Sequence, residues 1–112
     1  MTKNVNPDSL RLKDILQAIA DIEDIGFTIK SPRKDLLATA YSIAIIGEAA
    51  STLSQRLKEE HSYIPWRDII TMRHKIIHEY GKIDIPIVLA VVADDIPVLK
   101  GQITHILAGL MP

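Results

Sequence analysis

The sequence contains no cysteine. That absence excludes a disulfide scaffold, zinc sites built on thiolates and a cysteine nucleophile. Aromatic residues make up only 4% of the chain, against 47% for all hydrophobic residues, so the core must be built mainly from aliphatic side chains. The 112 residues fit one domain over positions 1–112, with a short flexible N-terminus at about positions 1–7.

Long hydrophobic runs are also missing. The longest extends from Ile85 to Ala93 and is interrupted by Pro86, far short of the roughly 20 residues of a transmembrane helix. The polar N-terminus lacks the apolar stretch of a signal peptide, so we expect a cytoplasmic protein with no membrane partner. The chain also lacks an excess of charge of either sign, because it has 13 Lys+Arg and 14 Asp+Glu residues. This balance argues against a uniformly basic nucleic-acid-binding protein.

Apolar spacing predicts an all-α bundle of roughly four or five helices with short loops. The first helix is expected to follow a cap at Asp8 or Ser9 and to end at Gly26. Ser31-Pro32 fits an N-cap and the first residue of a second helix, which is expected to extend to about Lys58. Residues spaced three or four apart define the buried face of the first helix: Leu12, Ile15, Ile19 and Ile22.

The middle of the second helix is apolar on nearly every side. Ile43 and Ile45 add hydrophobic surface beyond the face that points to the core. A helix with one solvent-exposed face carries polar residues on that face and does not show this pattern. We therefore expect the second helix to be central in the bundle or covered by another subunit.

Three further boundaries are predicted in the second half of the chain. Pro65-Trp66 is expected to open a third helix that ends at Gly81. Asp84 is expected to cap a fourth helix, with Pro86 tolerated in its first turn. Asp94–Pro97 forms another capping pattern and predicts a break or kink before the last helix.

Side chains suited to chemistry concentrate on the third helix. His74 and His78 are two of the four histidines, and they lie in a segment whose basic residues outnumber its acidic ones: Arg67, Arg73, Lys75 and Lys82 against Asp68 and Glu79. Helical geometry places Arg73 on an apolar stripe with Tyr80, where an arginine needs a partner or a polar cleft. His78 would lie in the last turn, where the helix dipole favours its protonated form. A phosphate could then be held by Arg73 while His78 moves a proton.

The spacing of Arg73, His78 and Tyr80 gives the pattern R-x-x-x-x-H-x-Y, which resembles the signature of HepT-like toxins in the HEPN superfamily of small α-helical ribonuclease domains. Other stretches that resemble the family span about residues 8–108: Ile46–Ala50 (I-G-E-A), Pro65-Trp66, Met72-Arg73, Asp84–Val92 and Asp95–Pro97. Two positions depart from it. His74 stands where many members carry Asn, and Gly81 where an aromatic residue is frequent.

The resemblance implies a homodimeric, HEPN-like bundle in which two R-x-x-x-x-H segments meet across a cleft. It implies an endoribonuclease that cleaves RNA without a metal or other cofactor. In this scheme the RNA 2′-hydroxyl attacks the adjacent phosphorus, His78 acts as general base or acid, and Arg73 stabilises charge on the phosphoryl oxygens. Supporting or RNA-contacting residues are expected among nearby charged side chains: Glu48, Arg67, His74, Lys75 and Lys82.

The resemblance also implies a type II toxin–antitoxin system. HepT-like toxins are paired with an MntA-type nucleotidyltransferase antitoxin, which attaches AMP to the motif tyrosine, here Tyr80. If Tyr80 lies on the stripe of Arg73, an attached phosphate could occupy that arginine and block RNA.

Simpler interpretations of the same residues stay open. His78 could merely complement the dipole at a helix end, and Arg73 could pair with Glu48. His74 and His78 are spaced i, i+4, which can chelate a metal from one helix face. However, Lys75 stands where a zinc protease has glutamate, and no third ligand is near in sequence, so no metal is expected. The alternative function is a non-catalytic helical module that binds and presents substrate to a nucleotidyltransferase.

Overall fold

The aliphatic spacing folds into an all-α bundle, as predicted. The computed structural model describes residues 7–110, and except for position 7 the expected flexible N-terminus lies outside them. The α-helices are α1 (Pro7–Ile25), α2 (Arg33–Ser51), α3 (Gln55–Glu60), α4 (Trp66–Ile70), α5 (Met72–Ile76), α6 (Ile85–Ala90) and α7 (Ile96–Leu110). A 3₁₀ turn (Glu79–Gly81) and a π-helical turn (Val91–Asp95) lie between them.

Helices α1 and α2 form the hairpin at the centre of the core, and α7 packs against α1. The predicted face of α1 is buried, with the side chains of Leu12, Ile15 and Ile19 wholly inaccessible to solvent. An ion pair of 3.0 Å between Lys100 Nζ and Glu23 Oε2 joins α7 to α1. Gly26 ends α1 as predicted, since it adopts a φ of +59°, which glycine reaches without steric cost.

The expected cap of α1 is wrong, because Asp8 lies inside the first turn of the helix. Its carboxylate instead binds Ser54, the N-cap residue of α3. Oδ1 accepts the backbone N–H of Ser54 at 2.9 Å, and Oδ2 accepts the Ser54 hydroxyl at 2.6 Å. Asp8 thereby fixes the start of α3 against the start of α1.

The second helix is shorter than predicted. It begins at Arg33, with Pro32 at the N-cap, and it ends at Ser51 well before Lys58. The hydroxyl of Ser51 donates to the Glu48 carbonyl at 2.7 Å, and such side-chain bonds to the backbone compete with continued helix. After a turn, Ser54 caps the separate helix α3 by accepting the Leu57 N–H.

Glycine in α2 allows α4 to pack closely. A Cβ atom at Gly47 would lie 3.0 Å from the carbonyl oxygen of Ile70 and 3.1 Å from that of Ile69. These separations are below ordinary van der Waals contact, so only glycine leaves room for the backbone of α4 at this point. Helix α2 thus positions the end of α4, directly before the segment that carries Arg73.

The predicted third helix, from Pro65-Trp66 to Gly81, is wrong in its length and continuity. It is interrupted at Thr71, whose hydroxyl donates to the Arg67 carbonyl at 2.8 Å, a bond that bends helices. It then ends at Ile76, because Ile77 is extended with φ −117° and ψ 114°.

The predictions for the last helices are closer to the structure. Asp84 caps α6, its Oδ1 accepting the Ile87 N–H at 3.1 Å, with Pro86 in the first turn. The capping predicted at Asp94–Pro97 does not break the chain, which continues into α7 through the π-helical turn Val91–Asp95 with helical φ −62° and ψ −44° at Ile96. Pro97 has no N–H for the carbonyl four residues earlier, and a wider π-type turn accommodates that missing bond.

Candidate active site

A tight hairpin follows α5 and organises the site. Ile77 and Ile83 form an isolated antiparallel bridge, and the His78 N–H donates to the Lys82 carbonyl at 2.7 Å. The loop reverses at Tyr80 and Gly81, which both have positive φ, +61° and +75°. The chain therefore folds back on itself within a few residues, and the residues on either side of the bridge become neighbours.

His78 lies on this hairpin and not in a last helical turn, so the prediction from the helix dipole is wrong. Its backbone is extended, with φ −96° and ψ −172°. Its Nε2 atom lies 3.2 Å from Oδ2 of Asp84, and its side chain is 50% exposed. The imidazole is therefore held on one side by a carboxylate and open to solvent on the other.

Asp84 is the functional candidate that sequence reasoning missed, since it was identified only as a helix cap. The N–H of Ile87, and after it the hydrogen bond and charge of His78, hold the pKa of Asp84 below its ordinary value of 3.8. The carboxylate is consequently ionised at neutral pH and can only accept hydrogen bonds. The sequence did contain a signal for the hairpin, because Gly81 lies between the β-branched residues Ile77 and Ile83. A hairpin predicted at that point would have placed Asp84 near His78.

Arg73 is exposed on α5, and the expectation that it shares an apolar stripe is wrong. The buried residues of this region are Ile69, Met72 and Ile76, and Arg73 is not among them. Within residues 7–110, no ion pair joins Arg73 to Glu48 or to any other carboxylate. Its guanidinium is available to a phosphate. Arg73 lies three residues before Ile76, where α5 ends.

Tyr80 is fully exposed at the tip of the hairpin, so it does not continue a helical stripe with Arg73. A non-glycine residue at φ +61° is strained, and the side chain has no ring contact or hydrogen bond within the described part of the chain. The phenol of Tyr80 is therefore exposed to solvent, two residues after His78 in the chain.

Comparison with known families identifies the family of the chain. A family model described as "Ribonuclease HepT-like" matches residues 14–106, a span that includes Arg73, His78 and Asp84. The chain belongs to the HepT-like ribonuclease family.

Named relatives support the assignment. The chain is 36% identical over 96 residues to "Probable ribonuclease HepT" of Thermococcus cleftensis, a match that covers 81% of this chain and 87% of that protein. It is 41% identical over 104 residues to "Putative RNase TTE0752" of Caldanaerobacter subterraneus subsp. tengcongensis, covering 86% of this chain and 90% of that protein. No solved structure matches the chain.

The other candidate residues of this HepT-like chain are exposed but not gathered in one pocket: Glu48, Arg67, His74, Lys75 and Lys82. Lys75 pairs with Asp68 at 3.7 Å and lines a groove of about 370 Å³. Arg67 lines a different depression of about 580 Å³. Neither depression is lined by Arg73 or His78, so in a single copy the family's pattern residues lie on open surface.

The arrangement of histidines differs from the chelating pair weighed from sequence. His74 is on α5, whereas His78 is on the extended hairpin, so the i, i+4 relationship on one helix face is not formed. Residues 7–110 hold no group of three or more His, Asp or Glu side chains placed to bind a metal.

None of the helices in that same range is both long and apolar enough to span a membrane.

Proposed function

We propose that this HepT-like protein is an endoribonuclease that cleaves RNA through Arg73 and His78 without a metal ion. The observation that carries the proposal is the exposure of both side chains, Arg73 on α5 and His78 on the hairpin that follows it. The imidazole is held at 3.2 Å by Asp84, and the guanidinium is free of carboxylates in the described chain. An unpaired guanidinium and, five residues later in the chain, an oriented imidazole have the chemistry to bind a phosphodiester and to transfer a proton.

The reaction is an internal transesterification. The 2′-oxygen of RNA attacks the adjacent phosphorus, its proton passes to a His78 imidazole, and the bond from phosphorus to the 5′-oxygen breaks. The departing 5′-oxygen takes a proton from an imidazolium or from water. Arg73 stabilises the charge that develops on the non-bridging phosphoryl oxygens. The products are a 2′,3′-cyclic phosphate and a 5′-hydroxyl.

The active form in this proposal is a homodimer. Leu37 and Tyr41 are 46% and 68% exposed on α2, and half-buried Ile45 continues the same face one turn later. An exposed apolar helix face of this kind favours burial against another subunit. Since Arg73 and His78 lie on open surface in one copy, a second copy would supply the opposite wall of a cleft and a second His78 to exchange the second proton.

Regulation in this proposal is AMPylation of Tyr80 by an MntA-type nucleotidyltransferase antitoxin, within a type II toxin–antitoxin system. The phenol oxygen attacks the α-phosphorus of ATP, and pyrophosphate leaves. Full exposure of Tyr80 supports access by a modifying enzyme. The attached phosphodiester would add negative charge on the hairpin that carries His78 and would repel or displace RNA.

The test is cleavage of RNA by the purified protein in EDTA. The wild type should cleave, and Arg73→Ala and His78→Ala should each lose at least about 100-fold in rate. Arg56→Ala and His105→Ala serve as matched controls, because both residues are exposed and lie on α3 and α7. Both variants should retain activity. An RNA with 2′-deoxyribose at the cleaved position should resist. Loss of activity in EDTA, or full activity in His78→Ala, would contradict the proposal.

A further inference from the structure

We propose that Asp84 is a positioning residue that selects which nitrogen of His78 exchanges protons with RNA. The inference rests on the proposed ribonuclease function and adds a residue and an atom to it. Asp84 does not contact the reacting phosphate in this scheme. It acts through the imidazole by fixing the ring's orientation and its tautomer.

The orientation of Asp84 is fixed by two separate hydrogen bonds. Oδ1 accepts the N–H of Ile87 at 3.1 Å as the cap of α6, which leaves Oδ2 facing Nε2 of His78 at 3.2 Å. The backbone is also fixed, since the Asp84 N–H donates to the Ile76 carbonyl at 2.8 Å. Asp84 therefore stands diagonally across the bridge from His78, and neither its backbone nor its carboxylate can turn away without breaking a bond.

This geometry determines the tautomer of His78. An ionised carboxylate has no proton to give, so the bond between the two side chains requires the proton on Nε2. In the neutral ring Nδ1 then carries the lone pair, and Nδ1 has no hydrogen-bond partner within residues 7–110. With half of the side chain exposed, Nδ1 is the nitrogen that can take the proton of the 2′-hydroxyl, and Asp84 stabilises the imidazolium without becoming protonated.

Substitution by asparagine separates this role from capping. In Asp84→Asn the amide oxygen keeps the Ile87 bond, because asparagine caps helices about as well as aspartate. The NH₂ group then faces His78 and donates, so Nε2 must become the acceptor and the proton moves to Nδ1. In Asp84→Ser the hydroxyl also caps α6 but is too short to reach the ring, which is left free to populate both tautomers.

The experiment combines ¹⁵N NMR of histidine-labelled full-length protein with RNA cleavage, and His78→Ala assigns the His78 signals. We expect Nε2–H in the wild type, Nδ1–H in Asp84→Asn and a mixture in Asp84→Ser. Cleavage should fall by roughly 10²–10⁴-fold in Asp84→Asn, as expected when an imidazole is forced into the wrong tautomer, and by less in Asp84→Ser. Asp94→Asn, an exposed carboxylate on another turn, should match the wild type in both measurements.

The ranking of the two variants distinguishes positioning from stability. A role limited to capping predicts equal activity for Asp84→Asn and Asp84→Ser at equal melting temperature, and that result would overturn the inference. A wild-type ring protonated on Nδ1 would also overturn it, even if the enzyme cleaves RNA. If the wild type shows Nε2–H and the variants shift as expected but no RNA is cleaved, the proposed function fails and the tautomer control by Asp84 stands.

Discussion

Gly47 of α2 lies directly against the carbonyl group of Ile70 at the end of α4. The closeness of this contact means that a methyl group at position 47 would lie 3.0 Å from a backbone oxygen. Backbone atoms of a packed helix cannot move aside as a flexible side chain can. The glycine of the I-G-E-A stretch is therefore a packing requirement that allows α2 to approach the end of α4 closely, three residues before Arg73 in the chain.

Gly47→Ala should destabilise the protein even though alanine favours helix. Overpacking costs about 1–3 kcal/mol, and the gain in helix propensity is about 1 kcal/mol, so we expect a net loss of about 1 kcal/mol in the free energy of unfolding. Gly101→Ala is the matched control, because it lies in α7 with nothing within 4 Å of the added methyl, and it should gain about 0.5–1 kcal/mol. Urea unfolding measures both, and a gain in Gly47→Ala would refute the packing argument.

Asp8→Ala should loosen the junction between α1 and α3. The carboxylate of Asp8 holds both the N–H and the hydroxyl of Ser54, and hydrogen bonds to charged groups contribute about 1.5–3 kcal/mol each when well shielded. At this exposed position we expect a total loss of about 1–2 kcal/mol. Asp14→Ala, which removes a surface ion pair of 3.7 Å with Arg11, should change stability by less than about 0.5 kcal/mol. If thermal unfolding showed the same loss of stability for Asp8→Ala and Asp14→Ala, the stabilising role of the Asp8–Ser54 hydrogen bonds would be contradicted.

The lowered pKa of Asp84 predicts a specific dependence of stability on pH. A carboxyl whose pKa is lower in the folded protein contributes stability above its unfolded value, near 3.8, and loses that contribution as the pH falls through the folded value. Asp84→Asn lacks this titration. The difference in unfolding free energy between wild type and Asp84→Asn should therefore shrink as the pH falls below about pH 4. A difference that grows as the pH falls below about 4, measured by urea unfolding, would be inconsistent with the His78 and Ile87 contacts.

The strained backbone of Tyr80 should be relieved by glycine. A left-handed conformation costs a non-glycine residue about 1–2 kcal/mol, and Tyr80 is fully exposed, so little packing is lost on its removal. Tyr80→Gly should raise the free energy of unfolding by about 1 kcal/mol. Lys82→Gly provides the control in the same hairpin, since φ at Lys82 is −69°, and it should lower stability by a few tenths of a kcal/mol. Destabilisation by Tyr80→Gly in thermal unfolding would show that the tyrosine makes stabilising contacts.

The exposed face of α2 provides a test of the proposed dimer. Tyr41→Asp should place a charge in that interface and shift the solution mass measured by light scattering toward the 12.5 kDa of one chain. Ile29→Asp is the control, because Ile29 is 69% exposed, about as much as Tyr41, but lies in the loop between α1 and α2. A wild type that is monomeric at assay concentrations, or equal masses for the wild type and Tyr41→Asp, would contradict the dimer.

Local signals in the sequence determined much of the fold. The spacing of Leu12, Ile15 and Ile19 specified a helix with one buried face, Gly26 ended it, and Asp84 capped α6. These features depend on residues within one or two turns of each other, whose geometry is set by helical periodicity and by local hydrogen bonds. The pattern of Arg73, His78 and Tyr80 likewise indicated the family without any knowledge of the fold.

Only the tertiary structure decided how the pattern residues are presented. Periodicity continued through Thr71 and Ile77, but the Thr71 hydroxyl bond and the pairing of Ile77 with Ile83 broke the helix that it predicted. The partnership of His78 with Asp84 arises from that hairpin, and the break between α2 and α3 is fixed by Asp8, which is remote in sequence from Ser54. The Thr71 bond is local, but the other contacts are hydrogen bonds between distant or oppositely directed segments, which an apolar repeat along one helix does not encode.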